Sequence, residues 1–330
     1  MTCTPVQQPP AASGECSPRL LPSVSIVVPV FNSELTLRAL IERLEPVLRT
    51  VADTFEVILV NDGSRDQSWL VAAELARAHS FVRAMNLMRN YGQHNALLAG
   101  IRCARNEIII TLDDDLQNPP EEIPHLLAQI AGGFDVVYGV PEHEQHGLLR
   151  DLSSQVTKLT LQSAMGAETA RHISAFRAFR TELRAAFENY CGSFVSIDVL
   201  LTWATTRFTA VTVQHDPRRA GVSNYTLRKL IIHALNLMTG FSTMPLQIAS
   251  LIGFAFTLVG LVVLLYVVAR FLIQGGSVPG FSFLASIIAV FSGAQLFALG
   301  IIGEYLARVH FRMMDKPSYA VREDTGRKAA

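Results

Sequence analysis

Two apolar runs in the last third of the chain constrain its fold more than any other feature. Leu246–Val268 and Phe283–Ile302 contain no Asp, Glu, Lys or Arg. Each has about 20 residues, enough for a helix to cross the hydrocarbon core of a bilayer. A pair of core helices is the alternative interpretation. Neither run is N-terminal, which argues against a cleaved signal peptide. We expect two transmembrane helices, at about 246–270 and 281–303.

The charges around these runs predict the side of the membrane on which the chain ends lie. Basic residues precede the first run and follow the second, whereas the connection at 274–280 is uncharged. By the positive-inside rule, both termini and the domain before the first run are expected in the cytoplasm. Residues 310–330 are predicted to be a basic cytoplasmic tail. The four cysteines have no disulfide or metal spacing, which is typical of a reducing compartment.

The segment at 23–225 mixes charged and apolar residues like a globular α/β domain, and about 200 residues suffice to bury a core. Alternating strands and helices favour a mainly parallel sheet. Residues 1–22, rich in Pro, Ser, Ala and Gln, are predicted to be a disordered tail. The predicted strands lie at 24–30, 55–60, 82–88, 107–113 and 135–140, and the helices at about 34–49, up to 79, 92–105 and 121–132.

Three consecutive carboxylates, Asp113, Asp114 and Asp115, lie at the end of the strand predicted at 107–113. Three anions at one strand end repel one another, so a divalent cation between them is expected. Strand alternation would place Asp113 and Asp115 on one side, with Gln117 as a neutral oxygen ligand. A solvated acidic turn is the alternative. Polar residues also follow the other strands, and in an open α/β sheet this edge binds ligands.

Several nucleotide-binding classes are not supported by the sequence. It has neither the Gly-x-Gly-x-x-Gly pattern of dinucleotide sites nor a P-loop. No basic stripe in the first 220 residues supports nucleic-acid binding. Asp62 could accept the ring N–H of a pyrimidine base, although Asp62-Gly63 could equally be a plain turn.

Four ordered motifs resemble those of the family 2 glycosyltransferases with the GT-A fold. The resemblance runs from about residue 23 to 316. More narrowly, the chain is similar to membrane-bound polyprenyl-phosphate glycosyltransferases, which include dolichol-phosphate mannose synthase, bactoprenol glucosyl transferases and undecaprenyl-phosphate formamido-arabinose transferase. The motifs are Val27-Val28-Pro29-Val30-Phe31-Asn32, Val60-Asn61-Asp62-Gly63-Ser64, Arg89-Asn90-Tyr91-Gly92-Gln93-His94 and the nine residues from Asp113 to Glu121.

This resemblance implies a GT-A catalytic domain, Rossmann-like and mainly parallel, over residues 23–225.

Between the domain and the spans, apolar residues recur at helical spacing beside Arg228 and Lys229. We therefore expect an interfacial amphipathic helix at 226–245, with a helix packed on the domain as the alternative. Two transmembrane helices within 246–309 follow. The resemblance also implies the inner membrane of a bacterium and a homo-oligomer formed through the membrane helices.

Transfer of a sugar from a nucleotide donor, UDP-linked by preference, to undecaprenyl phosphate is the implied reaction. Asp62 would contact the nucleobase, and Asp115 with Gln117 would hold the Mg2+ or Mn2+ that bridges the diphosphate. The implied metal ligands are Asp113, Asp115 and Gln117, and the implied catalytic residues are Asp113, Asp115 and Arg177. The implied nucleotide-sugar-binding residues are Pro29, Asn32, Glu34, Asp62, Gly63, Asn90, Gly92, Gln93, Asp113 and Asp114. The implied acceptor-phosphate-binding residues are Arg150, Arg177, Arg218, Ser223 and Tyr225.

The chain also departs from the family pattern. Ser33 intervenes before Glu34, and Pro141 and Asn224 stand where basic residues are frequent. His172 and Ala175 occupy positions at which relatives carry acids, so a conventional base is not evident. A polyprenyl monophosphate has a second pKa near 6 and needs little deprotonation at pH 7.

We therefore expect direct displacement with inversion. Deleting residues 246–330 is expected to leave donor binding largely intact while reducing transfer to a long-chain acceptor. The alternatives are a family 2 transferase with a glycan or another lipid as acceptor, and a catalytically silent membrane scaffold.

Overall fold

A computed structural model describes residues 21–141, 173–192, 195–216, 244–274, 280–314 and 316–326. Several predictions fall outside these ranges. They are the tail at 1–20, the acceptor residues Arg150, Arg218, Ser223 and Tyr225, the departures His172 and Asn224, and most of the interfacial helix predicted at 226–245.

Eight strands form one sheet in the order β7-β5-β6-β4-β1-β2-β3-β8. The strands are β1 (Ser23–Val30), β2 (Thr54–Asn61), β3 (Val82–Leu87), β4 (Ile108–Thr111), β5 (Val136–Pro141), β6 (Arg177–Arg180), β7 (Phe208–Val213) and β8 (Val321–Asp324). Neighbouring strands from β4 through β1 and β2 to β3 are parallel, as are β5 and β7. β6 and β8 are antiparallel to their neighbours. The predicted mainly parallel sheet is confirmed.

Helices cover both faces of this sheet, which is why its strands are apolar on both sides. Along β1, Ile26 and Val28 belong to one buried cluster and Val27 to the other. The first cluster includes residues of α1, α2 and α4, and the second those of α3 and α5. These helices are α1 (Leu37–Val51), α2 (Ser68–Ala78), α3 (Gln93–Cys103), α4 (Ile123–Ala131) and α5 (Ile197–Thr202).

The sheet order creates a crevice at one edge. From β1 the chain proceeds outward through β2 and β3, and it then returns to place β4 on the other side of β1. Loops that leave β1 and β4 at their carboxyl ends therefore diverge. In open α/β sheets such a switch point is where ligands bind. The predicted polar strand ends, at Asn32, Asp62, Asn90 and Asp113–Asp115, all follow parallel strands at this edge.

Two long helices follow the domain, α6 (Met244–Gln274) and α7 (Phe281–Met313). In α6, Leu246–Arg270 forms a 25-residue segment of mean hydropathy 2.7, long and apolar enough to cross a membrane, and none of its most apolar window is buried. Within the described residues of α7, a shorter apolar segment extends over Phe291–Ala307. The described residues thus provide one helix with the properties of a span and a second, shorter apolar segment.

The C-terminal segment differs from the prediction of a basic tail at 310–330. Residues 321–324 form β8, which pairs antiparallel with β3 at the sheet edge. Arg83 of β3 and Asp324 of β8 make a two-pronged ion pair, with Nε–Oδ1 at 2.9 Å and Nη2–Oδ2 at 2.6 Å. The sequence pattern did not indicate this strand, because four residues rich in charge have no period that distinguishes a strand from a solvated tail.

Candidate active site

Short polar side chains connect the carboxyl ends of β1, β2 and β3. The buried Asn61 amide donates to Asn86 Oδ1 at 2.8 Å, and its Oδ1 accepts from the Ser64 hydroxyl at 2.5 Å. The Ser64 oxygen accepts the backbone N–H of Asn32 at 3.0 Å. Asn32 has a left-handed φ of 56°, and its Oδ1 accepts the Arg65 N–H at 2.9 Å. The loops after β1 and β2 are thus fixed against each other.

Ser33 and Glu34 make contacts at the start of α2. The Ser33 N–H donates to the Ser68 hydroxyl oxygen at 2.7 Å, and Glu34 Oε2 accepts the Gln67 N–H at 2.8 Å. A carboxylate here satisfies an otherwise unpaired N–H and suits the helix dipole. Glu34 is therefore engaged by α2, and its predicted contact with the donor stays a prediction. Pro29, another predicted donor contact, is buried within β1.

Asp62, at the end of β2, holds the loop that follows β3. Its Oδ1 accepts the Tyr91 N–H at 2.7 Å, and its Oδ2 accepts the Gly92 N–H at 2.8 Å. Burial raises the pKa of the Asp62 carboxyl above its ordinary value, while the two backbone N–H groups lower it. Because carboxylate oxygens have further lone pairs, these bonds leave acceptor capacity for the predicted contact with a nucleobase.

Gly63 allows this loop to approach the end of β2. Its φ is 63°, and a Cβ at this position would lie 2.5 Å from the Asn90 nitrogen and 2.6 Å from the Arg89 carbonyl carbon. Such distances exclude any side chain unless the backbone moves. Beyond the contact, the Arg89 guanidinium stacks 4.6 Å from the centre of the Tyr91 ring. The predicted donor residues Gly63, Asn90 and Gly92 are therefore brought together around Asp62.

The acidic segment lies in a turn and not in a strand. β4 ends at Thr111, two residues before the predicted end, and Leu116 has a φ of 61°. The turn therefore determines the side-chain directions of Asp113, Asp114 and Asp115. The prediction that Asp113 and Asp115 share one side was based on strand alternation, which does not apply to these residues. Asp113 Oδ1 accepts the Gln93 side-chain amide at 2.6 Å. This bond joins the loop after β3 to the acidic turn.

Asp114 packs against the loop after β1. It accepts the Ser33 hydroxyl in a short hydrogen bond and the Phe31 N–H at 3.2 Å. Burial is the main cause that raises the pKa of Asp114 to about 6; the Asp115 charge adds to it, and the bonds from Ser33 and Phe31 oppose it. Asp114 thus has a position between β1 and β4 that ties the two loops together. This engagement does not support its predicted contact with the donor.

Asp115 and Gln117 carry the carboxylate and amide oxygens that the predicted divalent metal would require. Asp115 Oδ1 accepts the Gln117 N–H at 3.1 Å, and the Gln117 carbonyl accepts the Asp216 N–H at 2.8 Å. In the described parts of the chain no group of three or more acidic, His or Cys side chains could hold a metal ion. Mg2+ commonly binds one or two carboxylates and completes its shell with water and substrate phosphates. The Asp115 carboxylate and the Gln117 amide oxygen fit a metal of this kind.

Arg177 is placed differently from the prediction. It is 2% exposed, its Nη1 pairs with Asp198 Oδ1 in a short contact, and its Nε donates to the Thr111 hydroxyl at 3.1 Å. The Thr111 hydroxyl donates to the Ala175 carbonyl at 2.7 Å. A guanidinium buried in this way cannot bind a lipid phosphate unless the ion pair opens. This burial does not support the predicted acceptor-phosphate and catalytic roles of Arg177, which stay predictions.

Three members of this buried network, Thr111, Tyr138 and Asp198, were not predicted from the sequence. The Tyr138 hydroxyl donates to Asp198 Oδ1 at 3.0 Å. Burial and the Asp198 charge raise the pKa of Tyr138 well above its ordinary value. A single acid in the apolar run Ile197-Asp198-Val199-Leu200 was the available signal, because a lone buried carboxylate requires a partner.

The sheet order, the polar switch point and the acidic turn are those of an α/β domain of the GT-A class. The description "Glycosyl transferase family 2" belongs to the family model that matches residues 25–189. The undecaprenyl-phosphate 4-deoxy-4-formamido-L-arabinose transferase of Yersinia enterocolitica serotype O:8 is 36% identical over 306 residues, which cover 92% of this chain and 94% of that protein. The same-named protein of Pectobacterium carotovorum is 36% identical over 304 residues, covering 91% and 93%.

Among solved structures, the chain is similar to glucosyl-3-phosphoglycerate synthase from Mycobacterium tuberculosis, in complex with Mn2+, uridine diphosphate and phosphoglyceric acid. The TM-score is 0.47 at 18% identity, over 66% of this chain and 76% of the other. The family model and the two arabinose transferase relatives, which match more than 90% of the chain, indicate the same family. This chain belongs to glycosyltransferase family 2.

Proposed function

We propose that this protein transfers a sugar from a UDP-linked donor to undecaprenyl phosphate at the cytoplasmic face of a bacterial inner membrane. The observation that carries the proposal is the bond between Gln93 and Asp113, which brings the loop held by Asp62 to the acidic turn. In this proposal the loop and the turn are the two halves of a nucleoside diphosphate site at the switch point. Relatives that share 36% identity over 92% of the chain are named for undecaprenyl phosphate as substrate.

In the proposed donor complex the base lies against Asp62 and the loop at 89–93, and the diphosphate lies towards Asp115. Gln93 and Asp113 stand between these regions and orient the sugar end of the donor. A divalent metal held by Asp115 and Gln117 would supply charge stabilisation to the departing nucleoside diphosphate. Mg2+ and Mn2+ both suit carboxylate and amide oxygens.

The acceptor needs positioning more than activation. Its phosphate oxygen is already largely anionic at pH 7, so no strong base has to act. Basic side chains must instead bring an anion towards an anionic donor, and Arg150 and Arg218 are the proposed guanidiniums, with Ser223 and Tyr225 beside them. Direct attack on the anomeric carbon gives inversion. A product with retained anomeric configuration would contradict this step.

The proposed membrane topology is a hairpin of two spans with the catalytic domain and both termini in the cytoplasm. β8 follows α7 and pairs with β3 of the catalytic domain. Two partners in one sheet lie on the same side of a membrane, so the chain between them crosses it an even number of times. One crossing by α6 therefore calls for a second by α7. The proposal also includes a helix at 226–245 in the headgroup plane and a homo-oligomer formed through the membrane helices.

Cysteine labelling in spheroplasts tests this topology, with the four native cysteines replaced. A Ser277→Cys variant, in the short connection, should react with a membrane-impermeant maleimide, and a Lys328→Cys variant should react only after lysis. Labelling of Lys328→Cys in intact spheroplasts, or protection of Ser277→Cys, would contradict the hairpin.

The enzymatic test uses the full-length protein in detergent with undecaprenyl phosphate and a panel of UDP-, GDP- and dTDP-sugars. Reactions with Mg2+, with Mn2+ and with EDTA are compared by the formation of labelled glycolipid. We expect metal-dependent product from a UDP-sugar and its loss in Asp115→Asn. Glu107→Gln is the matched control, because this exposed carboxylate lies just before the opposite end of β4. Nucleotide binding without any glycolipid would point to a different acceptor or to a scaffold.

A further inference from the structure

The C-terminal strand β8 lies against the strand that leads into the donor loop. The Met88 N–H donates to the Ala320 carbonyl at 2.9 Å, and the Arg322 guanidinium donates to the Met88 carbonyl at 3.3 Å. Leu87 is in register with Val321. Met88 is thus held through both its N–H and its C=O. The next residue, Arg89, begins the loop at 89–93.

We propose that β8 is part of the donor site, where it positions the loop at 89–93 so that nucleotide binding depends on the chain segment that follows the membrane helices. That the ligand of this site is a nucleotide rests on the proposed function.

Buried side-chain contacts fix β8 at both ends. At the distal end, Asp324 pairs with Arg83, and these side chains are 6% and 13% exposed. The Ala84 N–H donates to the Thr325 hydroxyl oxygen at 2.9 Å, and the Thr325 N–H donates to the Ala84 carbonyl at 3.0 Å. Gly326 continues alongside, since a Cβ there would lie 2.4 Å from Arg83 Nε. Loss of β8 would leave the largely buried Arg83 guanidinium without its ion-pair partner, which is destabilising.

Nearer the membrane helices, the segment before β8 is also anchored. The buried Ser318 hydroxyl donates to the Gly192 carbonyl at 2.9 Å. The Arg102 guanidinium lies 5.7 Å from the centre of the Tyr319 ring. Tyr319 and Val321 pack against the apolar cluster that contains α3. These contacts begin only a few residues after α7 ends, so little free chain separates the helix from the strand.

Short stretches of chain connect β3 to the residues of the candidate site. Four residues after Leu87, the Tyr91 N–H binds Asp62, and the next residue, Gly92, does the same. Gln93 then binds Asp113. Without β8, β3 would be an edge strand with β2 as its single neighbour. An unpaired edge opens more readily than a paired one, and the loop would lose its fixed starting point.

This arrangement revises the expected result of deleting residues 246–330. That deletion removes β8 along with the apolar helices, so donor binding should weaken as well. The two effects are separated by a chain that ends at Lys316, which keeps both helices and lacks β8.

The experiment compares full-length protein, the chain ending at Lys316 and an Asp324→Ala variant, all in detergent. UDP binding with Mn2+ is measured by calorimetry, and amide hydrogen exchange is measured over residues 89–93 without nucleotide. We expect UDP affinity to fall at least about tenfold in the shortened chain and severalfold in Asp324→Ala, with faster exchange in the loop. Glu323→Ala is the matched control, because this neighbouring side chain is exposed.

Equal UDP affinity and equal loop exchange in the full-length and shortened chains would overturn the inference. If the shortened chain does not fold, Asp324→Ala decides by the same two measurements. Absence of UDP binding by the full-length protein would count against the proposed function. In that case, exchange over 89–93, measured without nucleotide, still decides whether β8 positions the loop.

Discussion

Removal of the Asp198 carboxylate should destabilise the catalytic domain strongly, because it leaves the Arg177 guanidinium without its ion-pair partner. The two side chains are 9% and 2% exposed. Breaking a buried pair by removing one partner costs about 3 to 5 kcal/mol. For a domain of about 200 residues each kcal/mol corresponds to about 2 to 4 °C, so Asp198→Leu should lower the melting temperature by roughly 6 to 20 °C.

The assay is a double-mutant cycle on Arg177 and Asp198, read from thermal unfolding of the full-length protein in detergent. Replacing both partners by apolar residues of similar size often costs little, since neither charge then remains buried. The Arg177→Met/Asp198→Leu double variant should therefore melt closer to the parent protein than Asp198→Leu does. Glu188→Leu, at an exposed position, is the control for loss of a carboxylate.

Two results would refute this reasoning. The first is an Asp198→Leu variant that loses less than about 1 kcal/mol, which would mean that the guanidinium finds water or another partner. The second is a coupling energy near zero, which would mean that the residues act independently. A strong coupling would show that Arg177 and Asp198 stabilise the domain as a pair.

Three further predictions concern the donor side of the site. Asp115→Asn should reduce metal-dependent glycolipid formation by about 100-fold or more, because the metal that Asp115 is proposed to hold would contribute several kcal/mol of transition-state charge stabilisation; a loss below tenfold would contradict the proposed ligand role. Burial raises the folded-state pKa of Asp62, so this carboxyl contributes stability that is fully present below its unfolded value and lost as the pH rises through its folded value. The melting temperature of the parent relative to Asp62→Asn should accordingly fall as the pH is raised from below the ordinary pKa of an Asp carboxyl, and a constant difference would refute this reasoning. Gly63→Ala should weaken UDP binding and lower the melting temperature more than Gly92→Ala. Both glycines have positive φ, but a Cβ at Gly63 meets backbone at 2.5 Å whereas one at Gly92 meets nothing within 4 Å; equal effects would exclude the steric cause.

Much of the site could be predicted because its residues follow strands that the sequence marks clearly. Asp113 comes directly after an apolar, β-branched run and Asp62 one residue after another, and the carboxyl ends of parallel strands meet at one edge. The order of the motifs places Gln93 in the loop after the next strand, so a contact between that loop and the acidic turn could have been predicted from the sequence. The contacts of Ser33 and Glu34 with the start of α2 were not predicted, because one inserted residue changes which group reaches that turn.

The buried position of Arg177 could not be predicted for a related reason. An arginine in a motif indicates a functional position, but its partner Asp198 lies 21 residues further along the chain. Whether a guanidinium faces a ligand or a buried carboxylate depends on how β6 and α5 pack. That packing has no signature in the local sequence, apart from the isolated acid itself.

The sequence by itself determined the alternation of strands and helices, the mainly parallel sheet, the acidic strand end and the apolar character of the two long helices. Each of these follows from periodicity and residue type within a few turns of chain. Only the tertiary structure decided that Arg83 pairs with Asp324, across 241 residues, and that the segment after the apolar helices completes the sheet. Pairing over such a distance depends on which edge remains open once the rest of the domain has folded, and local sequence pattern carries no information about that edge.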